Sequence, residues 1–129
     1  MGTLRKQYYF RPSKNGYAAW DVDKLILLSK DLAVQQVPIS TIKELDEPHW
    51  YGGEGDVATC RSIVAHIRLI QEADLSYPII LSAEGRVMDG MHRVSKASLQ
   101  EQQTIAAVQF AETPKPDYID VYPDDLPYD

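Results

Sequence analysis

The chain has 129 residues, 44% hydrophobic and 25% charged, which suits one globular domain with one proper core. Its formal net charge is −6, but residues 112–129 hold six acids against Lys115 alone, so the other 12 bases and 13 acids leave the body at −1. A near-neutral body has no basic stripe to track a phosphate backbone, no apolar run is long enough to cross a bilayer, and the single Cys60 has no internal disulfide partner. Residues 1–14 mix Arg, Lys and Tyr without the apolar stretch of a signal peptide, so the expected setting is the cytoplasm, with DNA and membranes as poor partners.

The segments Gln7-Tyr8-Tyr9-Phe10 and Tyr17-Ala18-Ala19-Trp20 read as paired strands around an Asn15-Gly16 turn, since both residues tolerate positive φ. Asp21 is placed to cap a helix running to about Leu32, with Val22, Leu25, Ile26 and Leu32 on a buried stripe. Val37-Pro38-Ile39 predicts a short strand with Pro38 at its start or on an edge, and residues 40–47 one or two helical turns. A glycine-rich loop over residues 51–56 leads into a helix over residues 59–72. There Cys60, Ile63, Val64, Ile67 and Ile70 share one face, expected to be buried. Residues 77–81 predict a strand, Glu84-Gly85 a turn, Arg86-Val87-Met88 a second strand, residues 91–100 a helix and residues 105–110 a last strand. Prolines 114, 116, 123 and 127 predict an extended or disordered tail. This order argues for an α/β or α+β fold with helices packed on one core sheet.

The most informative run is Asp89-Gly90-Met91-His92-Arg93, where a strand turns directly into a helix. The first helical turn offers unpaired N–H groups and the positive end of the helix dipole, and Gly90 would let an anion approach. His92 can donate or transfer a proton, Arg93 carries a planar fork suited to phosphate oxygens, and Asp89 is of a type that binds Mg²⁺. An ordinary capped helix start would explain the same five residues equally well.

With its flanks, this run resembles the central motif of the ParB/sulfiredoxin superfamily. Its elements here are Pro78-Ile79-Ile80, the Glu84-Gly85 turn, a second strand and Asp-Gly-x-His-Arg opening a helix. The resemblance extends over roughly residues 35–110, with Val37-Pro38-Ile39 similar to the upstream strand and residues 63–70 to the intervening helix. It implies a mixed sheet with helices packed on it for residues 35–111, preceded by a hairpin and helix in residues 1–34 and followed by the acidic, proline-rich tail 112–129. It also implies a bound nucleotide (ATP, ADP or CTP) with Mg²⁺, phosphate held by Gly90, Met91, His92 and Arg93, and the metal by Asp89. Sulfiredoxins carry a reactive cysteine where this chain has Met91, so peroxiredoxin repair is not expected. Small kinases of the same core transfer phosphate to free serine and use an upstream carboxylate as base. Candidates are Glu44 and Glu47, with His92 the further catalytic candidate. Asp46 lies between the two carboxylates, and an acidic surface loop is the plainer explanation for any one of the three.

His49-Trp50 fits either a ligand pocket, with the indole stacked on a base, or simple packing on the core. Cys60 is expected to be a small buried hydrophobe and His66 a boundary residue, while Arg61 and Arg68 fall on the solvent side of their helix. The histidines and the cysteine lack zinc spacing, and Gly52-Gly53-Glu54-Gly55 lacks the Lys-Ser/Thr ending of a phosphate loop. The sequence therefore points to a nucleotide- or phosphate-binding domain with phosphotransfer to a small hydroxyl compound as the implied reaction. A non-catalytic module binding a ligand, or a protein through the acidic tail, is the alternative, and a DNA-binding or nuclease role stands third.

Overall fold

The computed structural model describes residues 6–53 and 55–128. Glu54 of the glycine-rich loop and Asp129 of the tail lie outside the described residues. The chain is a mixed α+β protein with three α-helices and two sheets among the described residues.

Strands β1 (Tyr8–Ser13) and β2 (Gly16–Asp21) form the expected hairpin, paired from Tyr8 opposite Asp21 to Ser13 opposite Gly16. The turn pair is Lys14-Asn15 rather than Asn15-Gly16, and neither of its residues has positive φ. Gly16 carries that strain at φ +140, and a Cβ there would stand 2.8 Å from Val121 O. Asp21 caps helix α1 (Val22–Ser29) by accepting from Asp23 N. This helix ends a turn earlier than the apolar spacing implies. Val22 and Leu25 are buried, Ile26 is exposed, and Leu32 packs on the core from beyond the helix end.

Strand β3 (Gln35–Pro38) is an edge strand that ends, rather than begins, at Pro38. Two 3₁₀ turns, Ile39–Thr41 and Lys43–Asp46, follow it. After helix α2 (Cys60–Glu72) come β4 (Ile79–Leu81), β5 (Val87–Asp89), helix α3 (Met91–Leu99) and β6 (Thr104–Gln109). The four-stranded sheet has the order β3-β6-β4-β5, with β4 and β6 parallel and the other pairs antiparallel. Because strand side chains alternate between faces, β4, β5 and β6 each feed two separate cores. Ile79, Leu81, Val87, Ile105 and Ala107 pack under Met91, Val94 and Ala97 of α3 and under Ile39 and Ile42 of the 3₁₀ turns. Ile80, Met88 and Val108 face the other way and meet Trp20, Leu25 and Phe110.

The tail departs from expectation. Residues of β7 (Tyr118–Val121) join β2 as the third strand of the N-terminal sheet, a 3₁₀ turn spans Pro123–Asp125, and Leu126 is buried. The prolines interrupt regular structure without freeing the segment, because long-range polar bonds hold it. Trp20 Nε1 donates to Pro114 O (2.7 Å), Asp117 accepts from Asp21 N (2.8 Å) and Lys24, and Asp120 accepts from Ser13 Oγ (2.7 Å). Tyr8 OH also donates to Pro127 O.

Helix α2 is the second correction. Thr59 and Ser62 form a reciprocal capping box, so the start is where the sequence places it, but the helix has no buried residue. Ile63, Val64 and Ile67 are 43%, 55% and 45% exposed, and Cys60 is exposed as well. The stripe faces away from the core at residues 60, 63, 64 and 67, and only Ile70 of the expected face is half-buried. No described helix is long and apolar enough to cross a membrane.

Candidate functional site

At the end of β5 the chain reverses into α3 through Gly90, which takes a left-handed conformation (φ 106, ψ 23) as the helix N-cap. A Cβ there would lie 2.7 Å from Ile79 Cγ2 and 2.8 Å from Arg93 Nη2, so packing behind the turn demands glycine before any ligand is considered. Val94 is the first helical residue to bond back, to Gly90 O at 3.0 Å. The N–H groups of residues 91–93 thus form the unpaired first turn that any α-helix presents. Met91 sits at the first helical position, buried in the core, where it can offer its backbone N–H and no side-chain chemistry.

Arg93 curls back beneath this turn. Nη1 donates to Tyr77 O (3.2 Å) and Pro78 O (3.1 Å), and Nη2 pairs with Asp89 Oδ2 (2.9 Å). The fork expected to meet phosphate is therefore engaged in fixing α3 to the lead-in of β4. The other carboxylate oxygen of Asp89, Oδ1, has no partner among the described residues. No group of three or more His, Cys, Asp or Glu among those residues is arranged to hold a metal ion.

This helix start opens on a cleft of about 1100 Å³ between the two sheets. The cleft is lined by Glu44, Trp50 and residues 86–93 on one side and by residues 6–10 and Tyr128 on the other. The two carboxylates expected as bases have different environments. Glu44 is 3% exposed, with Oε2 accepting from Val87 N (2.7 Å) beside Arg86 Nε (3.2 Å), while Oε1 is buried without any partner among the described residues. A buried carboxylate oxygen left unsatisfied costs free energy, and native proteins retain few such atoms. An acidic surface loop does not describe Glu44. Glu47 does fit that description. It is exposed and paired through both oxygens with the Arg86 guanidinium, which holds its carboxyl below the usual range. Asp46 is exposed and does not line the cleft.

The sequence marks His92 and His49 as candidates, but it does not reveal that they gather with His66. His66 Nδ1 and His92 Nε2 share a hydrogen bond of 2.9 Å, with the ring planes 21° apart. Both rings stack on Trp50, at centroid distances of 4.2 and 4.6 Å and within 17° of its plane. His49 meets the same indole edge-on at 6.0 Å. All three histidines of the chain therefore gather around Trp50, from three separate elements. The nearly parallel rings place His66 and His92 side by side on the indole, so Trp50 already stacks on imidazoles and is not simply open to a base.

Burial, then the neighbouring His66 and His49, lowers the His92 pKa to about 4. Burial also lowers His66. His49 is lowered mainly by desolvation in the crowded cleft mouth, although much of its own surface stays open to solvent. Arg86 and His66 add to that lowering while Glu44 and Glu47 oppose it. His92 is accordingly neutral at neutral pH, and its ring can carry one donor and one acceptor.

Comparison with known proteins is silent. No family model, curated protein or solved structure matches the chain. Its chemistry must be argued from the cleft itself. Five carboxylates line it (Glu44, Glu72, Asp74, Asp89 and Asp124) against three cations. All three cations are already paired: Lys6 with Asp21 and Asp23, Arg86 with Glu44 and Glu47, and Arg93 with Asp89.

Proposed function

We propose that the cleft binds a phosphate-bearing ligand, a nucleotide first, at the start of α3, and passes a phosphoryl group to a small hydroxyl compound. The observation that carries this reading is one cleft shared by the unpaired first turn of α3 and a buried carboxylate with an unpartnered oxygen, Glu44 Oε1. The N–H groups of residues 91–93 and His92 would hold phosphate oxygens, with Arg93 positioning the turn from behind. The ParB/sulfiredoxin-like motif at residues 89–93 supports the same assignment.

Asp89 suits a Mg²⁺ ion that arrives on phosphates and keeps water ligands, because it offers one free carboxylate oxygen. The surrounding residues do not suit a metal caged by protein alone. Such an ion would offset charge on the transferring group. Glu44 would take the proton as the acceptor hydroxyl oxygen bonds to phosphorus and the phosphorus–oxygen bond to the nucleotide breaks.

A non-catalytic binding module is the second reading. It is favoured by the excess of carboxylates and the paired state of every cleft cation, which suit a neutral or cationic ligand better than a polyanion. Calorimetry with ATP, ADP and CTP plus Mg²⁺ separates the two, followed by phosphorus NMR with a panel of hydroxyl compounds. Glu44→Gln is expected to retain nucleotide binding and lose turnover. Absence of binding for all three nucleotides overturns the nucleotide reading, and binding without turnover by the wild type leaves the module.

A further inference from the structure

Because α2 buries no residue, the bonds that attach it to the rest of the fold are few and mostly polar. Ser62 Oγ bonds Tyr51 OH (3.0 Å) near its start, and Lys96 Nζ donates to Gln71 O (2.9 Å) and Ala73 O (2.7 Å) at its end. Between these lies His66, bonded to His92 and stacked on Trp50. An imidazole has two nitrogens on opposite edges of its ring, so a bond at one determines what the other can offer. His92 commits Nε2 to His66, and His92 lines the cleft whereas His66 does not.

We infer that His66 is a positioning residue for the cleft. By donating from Nδ1 to His92 Nε2, it fixes His92 as the Nδ1–H tautomer and makes that N–H the donor offered to a bound phosphate oxygen. The proposal rests on the reading of His92 as a phosphate contact. It asks nothing of His66 toward the ligand itself. One proton must lie between Nδ1 of His66 and Nε2 of His92, so at least one ring is neutral while the bond persists. His66 Nε2 has no partner among the described residues, so no other side chain dictates the His66 tautomer, and the demand comes from the cleft. Trp50 then restricts rotation, because turning either ring out of plane gives up its stacking contact. The titratable groups acting on His92 are His66 from α2 and His49 from the loop, while Glu44 of the 3₁₀ turn, Asp89 at the end of β5 and Arg93 of α3 line the same cleft.

The test is long-range proton–nitrogen NMR on the full chain labelled at histidine, compared with His66→Ala and His66→Asn. Asn can present its amide N–H₂ where Nδ1 stood, so it restores the donor without the ring. The wild type is expected to show His92 protonated at Nδ1 with a pKa near 4. His66→Ala should give mixed tautomers and a pKa displaced toward the ordinary 6.5, and His66→Asn should return the wild-type tautomer. ADP with Mg²⁺, followed by calorimetry, should bind about tenfold more weakly to His66→Ala and within about threefold of wild type to His66→Asn, the size of one hydrogen bond. An unchanged His92 tautomer in His66→Ala overturns the proposal, as does a wild-type His92 protonated at Nε2 or a failure of His66→Asn to restore the tautomer. If the tautomers behave as stated but no nucleotide binds, the positioning role stands and the nucleotide reading falls.

Discussion

Acidification gives a direct test of the histidine cluster. His92 has its pKa lowered from 6.5 to about 4 in the folded chain, chiefly by burial. Between those two values the unfolded chain binds a proton that the native state refuses, so stability must fall as pH falls. The contribution is fully present above 6.5 and is lost as the pH drops through about 4. At 1.36 kcal/mol per pH unit the displacement corresponds to roughly 3 kcal/mol. The ring is partly open to solvent, which screens it and brings the expected loss to about 2 kcal/mol. His66 and His49 are lowered too and titrate in the same direction. The carboxylates held low by their partners, Glu47, Glu84 and Asp21 among them, lose their contribution only further down, as pH falls through their depressed values.

The assay is urea unfolding followed by circular dichroism at pH 7.5, 6.5, 5.5 and 4.5, for wild type and for His92→Gln, which cannot titrate. The difference between the two should shrink steadily toward pH 4.5. In parallel, emission from Trp50 should change with pH in wild type, since protonating both rings breaks their shared hydrogen bond on the indole face. A stability difference that stays constant from pH 7.5 to 4.5 refutes the account of His92 as a neutral, desolvated ring.

Gly90→Ala should cost about 2–4 kcal/mol in the same unfolding assay, combining the left-handed backbone penalty with a clash against the buried Ile79 Cγ2. A loss below about 1 kcal/mol would mean that the turn relaxes and that glycine is not required by packing. Ile67→Asp on the open face of α2 should change stability by no more than about 0.5 kcal/mol, whereas Val94→Ala in the core should cost about 2 kcal/mol. A large loss for Ile67→Asp, rising with protein concentration, would show that a second chain covers the stripe.

Much of the fold was legible because local chemistry and long-range packing agree. Asp21 is a helix cap by residue type and accepts the backbone N–H that its type predicts, whereas Thr59, read as the first residue of its helix, is in the structure the cap before it. The short apolar runs in β4, β5 and β6 read as strand, and they are apolar on both sides because both sheet faces are covered. The tail was misread for the opposite reason. Its prolines signal an absence of regular structure, but the bonds that order it reach back to Ser13, Trp20, Asp21 and Lys24, about a hundred residues away. Local composition carries no trace of such partners.

The site shows a similar division. The turn at Asp89-Gly90 and the helix after it follow from a contiguous run, so sequence alone could propose them. Glu44 and Glu47 cannot be separated by type or spacing, and only burial distinguishes the orphaned oxygen of one from the ion-paired surface of the other. The sequence marks His66 as a boundary residue for a physical reason that the structure reverses. On a helix with apolar residues at 60, 63, 64 and 67, the histidine one position off the stripe looks marginal, given the assumption that the stripe faces the core. Here the helix is rotated so that residues 60, 63, 64 and 67 stay exposed and the inward side carries Ser62, His66 and the half-buried Ile70. Hydrophobic periodicity measures which side of a helix is apolar, and it identifies the buried side only when the core is what that helix is built to cover. In α2 the contacts made inward are polar and aromatic, to Tyr51, Trp50, His92 and Lys96. A helix attached in that way serves the cleft rather than the core.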